Sequence, residues 1–96
     1  MKRVVKISFP KESCVDGPLS LGKAIRAART GQGMSIEEAA MVMGMAKQTL
    51  CNIEAGKPTV AFGIVMHVAN ELGVSLFMAP TMERDRIRHF IHNMST

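Results

Sequence analysis

Apolar and polar residues alternate with a period of two at the start of the chain. Residues 3–9 read RVVKISF, and the apolar side chains at positions 5, 7 and 9 are separated by lysine and serine. This alternation is typical of a half-buried β-strand, which Pro10 would end. Residues 74–78, VSLFM, form a second short β-prone run. We therefore predict short strands near the N-terminus and after a fourth helix.

Between these two runs the apolar spacing changes to that of α-helices. From about Ser20, apolar residues recur at i, i+3, i+4 and i+7, and glycines at positions 31 and 33 end this first helix. Ser35 and Glu38 have the spacing of a capping box, in which each side chain binds a free amide of the first turn. This box predicts a second helix from Ile36 to Met43, and Gly44 follows it.

Three further helices are predicted from apolar spacing and terminal residues. The third covers residues 47–55 and is followed by Gly56. Thr59 is a candidate N-cap for a fourth helix that extends to Leu72, and Gly73 stops it. A fifth helix covers residues 82–93. The chain is thus predicted to be mainly helical.

The second and third helices have the spacing of a helix-turn-helix motif. Ala40 is small enough for the two helices to cross, and Gly44 can adopt the backbone conformation of the turn. Leu50 and Ile53 would anchor the third helix in the core. Its opposite face would then be free to enter the major groove of DNA.

Size and composition exclude several classes of protein. The 96 residues suffice for one domain with a modest core, and the 47% hydrophobic fraction argues against disorder. The longest apolar run has eight residues, far below the ~18 that a membrane span needs, and two cysteines are too few for a disulfide scaffold. We expect a soluble, cytoplasmic protein that does not bind membranes.

The sequence contains no arrangement of residues typical of an active site. No nucleophile–base pair, glycine-rich phosphate loop or pair of carboxylates can be assembled from it. We therefore expect no enzyme activity, no cofactor and no metal ion.

Positive charge is concentrated near the N-terminus. The formal net charge is +4, and residues 1–29 carry seven lysines and arginines against two acidic residues. Residues 30–80 carry two basic and four acidic residues. This distribution favours an anionic partner, although the central region is acidic.

The central region resembles a known family. Residues 19–79 are similar to the Xre/Cro-type helix-turn-helix domain of phage repressors and bacterial regulators, through the run MSIEEAAMVMGMAKQTLCNIEAGKPT and the later ANELGVSL. The GKPT turn and the strand-like extension are most similar to the HipB-like branch, which includes antitoxins that repress their own operons. The resemblance implies a lambda-repressor-like fold of four or five helices. The short strands have no partner within the chain, so we expect them to pair across a dimer interface.

The resemblance also implies which residues would contact DNA. The base-reading positions of the family fall on the start of the third helix, at Lys47, Gln48, Thr49, Cys51 and Asn52. Lysine suits guanine, glutamine suits adenine, and a threonine methyl suits thymine. We interpret this polar face as a DNA-reading surface, although a solvated helix face is the ordinary alternative.

Phosphate contacts are expected from Ser35, Lys57 and Thr59, from helix N-terminal amides and from basic residues near the N-terminus. Ile36 stands where the family has a phosphate-binding glutamine, and Ala46 stands where a capping serine or threonine is common. Both departures predict weakened binding.

A structural ion pair is also implied by the resemblance. The family pairs an acidic residue of the third helix with an arginine at the end of the first. These positions fall on Glu54 and Arg29. The pair would hold the two helices together.

We predict a repressor-like regulator that binds operator DNA as a homodimer. The expected organisation is an N-terminal strand and loop at residues 1–18, a DNA-binding domain at 19–73, and a dimerising strand and helix at 74–96. Two alternatives remain open. One is an antitoxin that also holds a toxin or kinase partner. The other is a protein–protein adaptor that has lost DNA binding, which Ile36 and the acidic central region would favour.

Overall fold

The computed structural model describes residues 3–94, which contain five α-helices and one turn of 3₁₀ helix. The helices are α1 (Pro18–Gly31), α2 (Ile36–Val42), α3 (Lys47–Glu54), α4 (Phe62–Glu71) and α5 (Arg84–Met94), with the 3₁₀ turn at Thr81–Glu83. Residues 1, 2, 95 and 96 lie outside the described part. The basic residue Lys2 and the outer ends of the predicted segments 1–18 and 74–96 therefore also lie outside it.

The predicted strands are absent from residues 3–94, and this part of the predicted fold class is wrong. Val5 is 75% exposed, and the backbone N–H of Ile7 donates to the Thr30 side chain on α1 at 3.0 Å rather than to a second strand. Val74 instead lies in the turn that closes α4, where its N–H donates to the Ala69 carbonyl at 2.8 Å. Alternation predicts an extended backbone, but a strand also requires a neighbouring strand.

Three helix starts differ from the prediction, and one of them is α5, which begins at Arg84 after the 3₁₀ turn rather than at residue 82. The first helix begins at Pro18, because proline fits the first helical position, where its missing N–H costs nothing. The N-cap of α4 is Ala61, and Thr59 lies two residues before that cap. Val60 packs against the core just before α4, so the turn after α3 continues past Thr59.

The start of α2 and the turn between α2 and α3 are both built by local hydrogen bonds. The Glu38 N–H donates to Ser35 Oγ, and the Ser35 N–H donates to Glu38 Oε1, each at 3.1 Å, so the predicted capping box is present. Gly44 has a φ of 66°, and the Met45 N–H donates to the Ala40 carbonyl at 2.9 Å. Only glycine adopts this conformation without a Cβ penalty.

The core lies between the first four helices, with α3 packed against both α1 and α2. Ile25, Leu50 and Val68 are its largest fully buried side chains. Gly22 of α1 lies directly against the end of α3, because a Cβ at this position would be 2.8 Å from the Glu54 carbonyl oxygen. The close approach of α1 and α3 therefore depends on glycine.

The C-terminal helix α5 has no buried residue. It packs on the 3₁₀ turn, and Arg88 Nε lies 2.8 Å from Glu12 Oε2 in the N-terminal segment. Among residues 3–94, no helix combines the length and apolar character needed to cross a bilayer.

Candidate nucleic-acid interface

The third helix has one buried and one accessible face. Leu50 and Ile53 are buried, at 0% and 3% exposure. The predicted base-reading residues lie on the rest of the helix: Lys47 and Gln48 are exposed, and Thr49, Cys51 and Asn52 are half-buried. This arrangement leaves a row of polar side chains accessible to a ligand.

Gln48 and Asn52 are joined by a hydrogen bond on the accessible face. Gln48 Nε2 donates to Asn52 Oδ1 at 2.9 Å, one helical turn away. Within residues 3–94, the bond leaves Gln48 its carbonyl oxygen and a second N–H. These are the acceptor and donor that a bidentate contact with adenine requires. Asn52 therefore orients the Gln48 amide.

Lys47 forms an ion pair with α2. Its Nζ lies 3.6 Å from Glu37 Oε1, and the two side chains are 59% and 52% exposed. An ion pair this exposed contributes about 0–1 kcal/mol. Lys47 can therefore exchange Glu37 for a base or phosphate at little cost.

The three predicted phosphate-contacting residues lie in different surroundings. The Ser35 hydroxyl already accepts the Glu38 N–H, whereas Lys57 and Thr59 are exposed after α3. The backbone N–H of Lys57 donates to the Asn52 carbonyl at 3.0 Å, which fixes the position of the residue. The Lys57 side chain forms no ion pair within residues 3–94. Of these three residues, Lys57 therefore offers an unpaired positive charge beside α3.

The two departures from the family pattern have visible consequences. Ile36 is half-buried and packs against the core, so its side chain contributes to folding. Ala46 makes no side-chain hydrogen bond to the first turn of α3. The absent cap costs roughly 1 kcal/mol of helix stability.

Arg29 and Glu54 form a buried bidentate ion pair. Arg29 Nε lies 2.7 Å from Glu54 Oε2, and Nη2 lies 2.9 Å from Oε1. The third nitrogen, Nη1, donates to the Met34 carbonyl at 2.8 Å. The side chains are 9% and 7% exposed. The arginine thus connects α1, the loop before α2 and the end of α3.

The capping box also affects a pKa. The hydrogen bond from the Ser35 backbone N–H, and then the Ser35 side chain, lower the pKa of Glu38 below its ordinary value of 4.5. Because the pKa of Glu38 is lower in the folded state than in the unfolded state, its ionised carboxylate stabilises the fold fully at neutral pH. This stabilisation is lost as the pH falls through the lowered pKa. The ionised carboxylate also suits the helix N-terminus.

Three residues that position the site were missed by sequence analysis. Gly22 allows α1 to approach α3, Thr30 binds the N-terminal segment, and the Gln32 side chain donates to the Leu72 carbonyl at 2.9 Å. A glycine inside a helix is a recognisable sign of close packing. Nothing local marks Thr30 or Gln32, because their partners are 23 and 40 residues away.

No cluster of three or more potential metal ligands occurs within residues 3–94, and Cys14 and Cys51 are free thiols.

Comparison with known proteins agrees with this geometry. The family model described as helix-turn-helix matches residues 25–77, more than half of the chain. The chain belongs to the helix-turn-helix family. It is 34% identical over 67 residues to the HTH-type transcriptional regulator y4mF of Sinorhizobium fredii, a match that covers 70% of this chain and 88% of the relative.

Two solved structures share the fold of this helix-turn-helix protein. A chain of the HipB-O4 20mer complex superposes with a TM-score of 0.62 at 19% identity, covering 71% of this chain and 96% of that one. A chain from a complex of a HipB variant with an O2 20mer gives a TM-score of 0.63 at 20% identity, covering 77% and 99%. At these identities the likeness concerns the fold.

Proposed function

We propose that this helix-turn-helix protein is a sequence-specific DNA-binding regulator of transcription. The observation that carries the proposal is the accessible polar face of α3, which is held outward by buried Leu50 and Ile53. The relative y4mF is described as a transcriptional regulator, and the HipB neighbours are complexes with 20mers. The protein would act by binding, without catalysis.

In this proposal α3 lies in the major groove. Gln48, oriented by Asn52, reads adenine, and Lys47 reads guanine after leaving Glu37. Thr49 and Cys51 contribute small contacts along the same face. The phosphates on either side of this groove are contacted by Ser35, Lys57 and Thr59.

Selection from a random duplex library tests the proposal. The protein should enrich one sequence and bind it at least about 10³-fold more tightly than an unrelated duplex at the same salt concentration. Equal binding to both duplexes would contradict sequence-specific regulation. No binding at low salt would instead support the adaptor alternative.

Lys57→Ala should weaken binding to all DNA sequences by a similar factor. A phosphate contact contributes about 0.9 to the slope of log affinity against log salt concentration, so the slope should become less steep by about 1. Titrations of DNA with the protein at four salt concentrations measure this slope. Lys23→Ala, which removes an exposed lysine from α1, is the control. An unchanged slope in Lys57→Ala would remove this residue from the interface.

We further propose that residues 74–96 mediate a homodimer, with α5 as the contact surface. Ile87, Phe90, Ile91 and Met94 share one side of α5 at helical spacing, and Phe90 and Met94 are 64% and 70% exposed. A second α5 would cover them. Two recognition helices could then lie about 34 Å apart, one turn of DNA.

Phe90→Glu should convert the dimer to a monomer in sedimentation experiments, because it places a charge in the apolar contact. Folding should be unaffected, since Phe90 is exposed. His89→Glu, on the opposite side of the same helix, should remain dimeric. A dimeric Phe90→Glu protein would exclude this surface.

Binding of a toxin or kinase is a second candidate function. It is favoured by Met41 and Val42, which are 80% and 74% exposed on α2. Such an apolar surface suits a protein partner. Co-expression with the product of the adjacent gene tests it: a complex that Met41→Lys/Val42→Lys dissolves would support an antitoxin, and a complex unaffected by these changes would contradict this surface.

A further inference from the structure

A shallow cleft beside the start of α2 collects positive charge from two distant parts of the sequence. The cleft has a volume of about 310 Å³. Arg3 of the N-terminal segment and Arg26 of α1 line it, together with Ser35 and Glu37 at the start of α2. The cleft therefore adjoins Ser35, one of the proposed phosphate contacts.

The N-terminal segment is attached at this cleft by a specific hydrogen bond. The Ile7 N–H donates to Thr30 Oγ1 at 3.0 Å, and Thr30 itself is 4% exposed and also donates to the Ala27 carbonyl at 3.2 Å. Ile7 also lines the cleft. This attachment holds the preceding residues, including Arg3, along the outside of α1.

Both arginines are available to a ligand. Arg3 and Arg26 are exposed, and neither forms an ion pair within residues 3–94. The carboxylate that shares the cleft, Glu37, is paired with Lys47 of α3. Two guanidinium groups without a carboxylate partner in one cleft are suited to a phosphate group.

The start of α2 needs positive charge from other residues if it is to lie against the DNA backbone. Ile36 is apolar and packs on the core, the Ser35 hydroxyl is engaged by Glu38, and Glu37 and Glu38 are acidic. None of these side chains supplies positive charge for a phosphate, although the Ser35 hydroxyl can still donate its own hydrogen. Cations must come from another part of the fold, and Arg3 and Arg26 line this cleft.

We propose that Arg3 and Arg26 form a phosphate-binding clamp for the DNA backbone beside α2, while α3 reads the groove. This inference rests on the proposed function. It distinguishes these two arginines from the other basic residues near the N-terminus. Lys11, for example, lies in a different cavity, against α5, together with Asp85 and Arg88.

Two double variants with the same change in net charge test the clamp. Arg3→Gln/Arg26→Gln removes the proposed contacts, and Lys11→Gln/Lys23→Gln removes two charges from the same N-terminal segment and the same helix. All four side chains are exposed, so both variants should keep the melting temperature of the unmodified protein. The probe is the duplex that the unmodified protein selects from a random library.

The arginine variant should bind this duplex about 30-fold more weakly at about 0.15 M salt, with a slope of log affinity against log salt reduced by about 2, because each phosphate contact contributes about 0.9 to the slope. The lysine variant should change affinity by less than about threefold. Equal effects in the two variants would overturn the clamp and leave the proposed function standing. Failure of the unmodified protein to bind any DNA would overturn both.

Discussion

Glu54→Ala is expected to lower the free energy of unfolding by about 3–5 kcal/mol, the range for removing one partner of a buried ion pair. The substitution leaves the Arg29 side chain buried, at 9% exposure, with the Met34 carbonyl as its remaining partner. An uncompensated charge in this position costs far more than the loss of a surface pair. The end of α3 would also lose its ion pair with α1.

Urea denaturation followed by circular dichroism measures this effect. Glu83→Ala is the matched control, because Glu83 pairs with Arg86 at 3.3 Å but on the surface, with Arg86 83% exposed. Removing an exposed pair should change stability by about 0–1 kcal/mol. If the two variants unfolded at the same urea concentration, the buried pair would have no special role in holding α3.

Gln48→Ala is expected to abolish the preference for one base of the selected duplex. A bidentate contact contributes roughly 1–3 kcal/mol of discrimination, so substitution of that base pair should no longer matter to the variant. Asn52→Ala should reduce preference at the same base pair, by a smaller factor, because Asn52 acts by orienting the Gln48 amide. Both changes are on the accessible face and should leave folding unaffected.

Binding to a set of duplexes, each with one base pair replaced, provides the measurement. Asn70→Ala, an exposed position on α4, serves as the control. A uniform loss of affinity across the whole set for Gln48→Ala would assign this residue to the backbone. An effect of Asn52→Ala at a different base pair would show that it reads DNA independently.

Local rules predicted the centre of the molecule well. The capping box of Ser35 and Glu38 and the left-handed glycine at position 44 involve residues within a few positions of each other. Their geometry therefore follows from short-range hydrogen bonds and steric limits. The burial of Leu50 and Ile53 follows from helical spacing in the same way.

Predictions that depended on distant partners were less successful. The alternation in residues 3–9 predicted a half-buried strand, but Val5 and Phe9 are exposed and the Ile7 N–H donates to Thr30 on α1 rather than to another strand. The N-cap of α4 is Ala61 rather than Thr59, and Val60 between them packs on the core. Neither outcome is encoded in the neighbouring residues.

The amino-acid sequence alone determined the helix-turn-helix unit, its polar face and its family, since helix caps, glycine turns and apolar spacing act over one or two turns. The tertiary structure alone decided that Gly22 brings α1 against α3 and that Arg3 and Arg26 share a cleft. Arg3 and Arg26 are far apart in the sequence, and only the packing of the N-terminal segment on α1 brings them to the same surface.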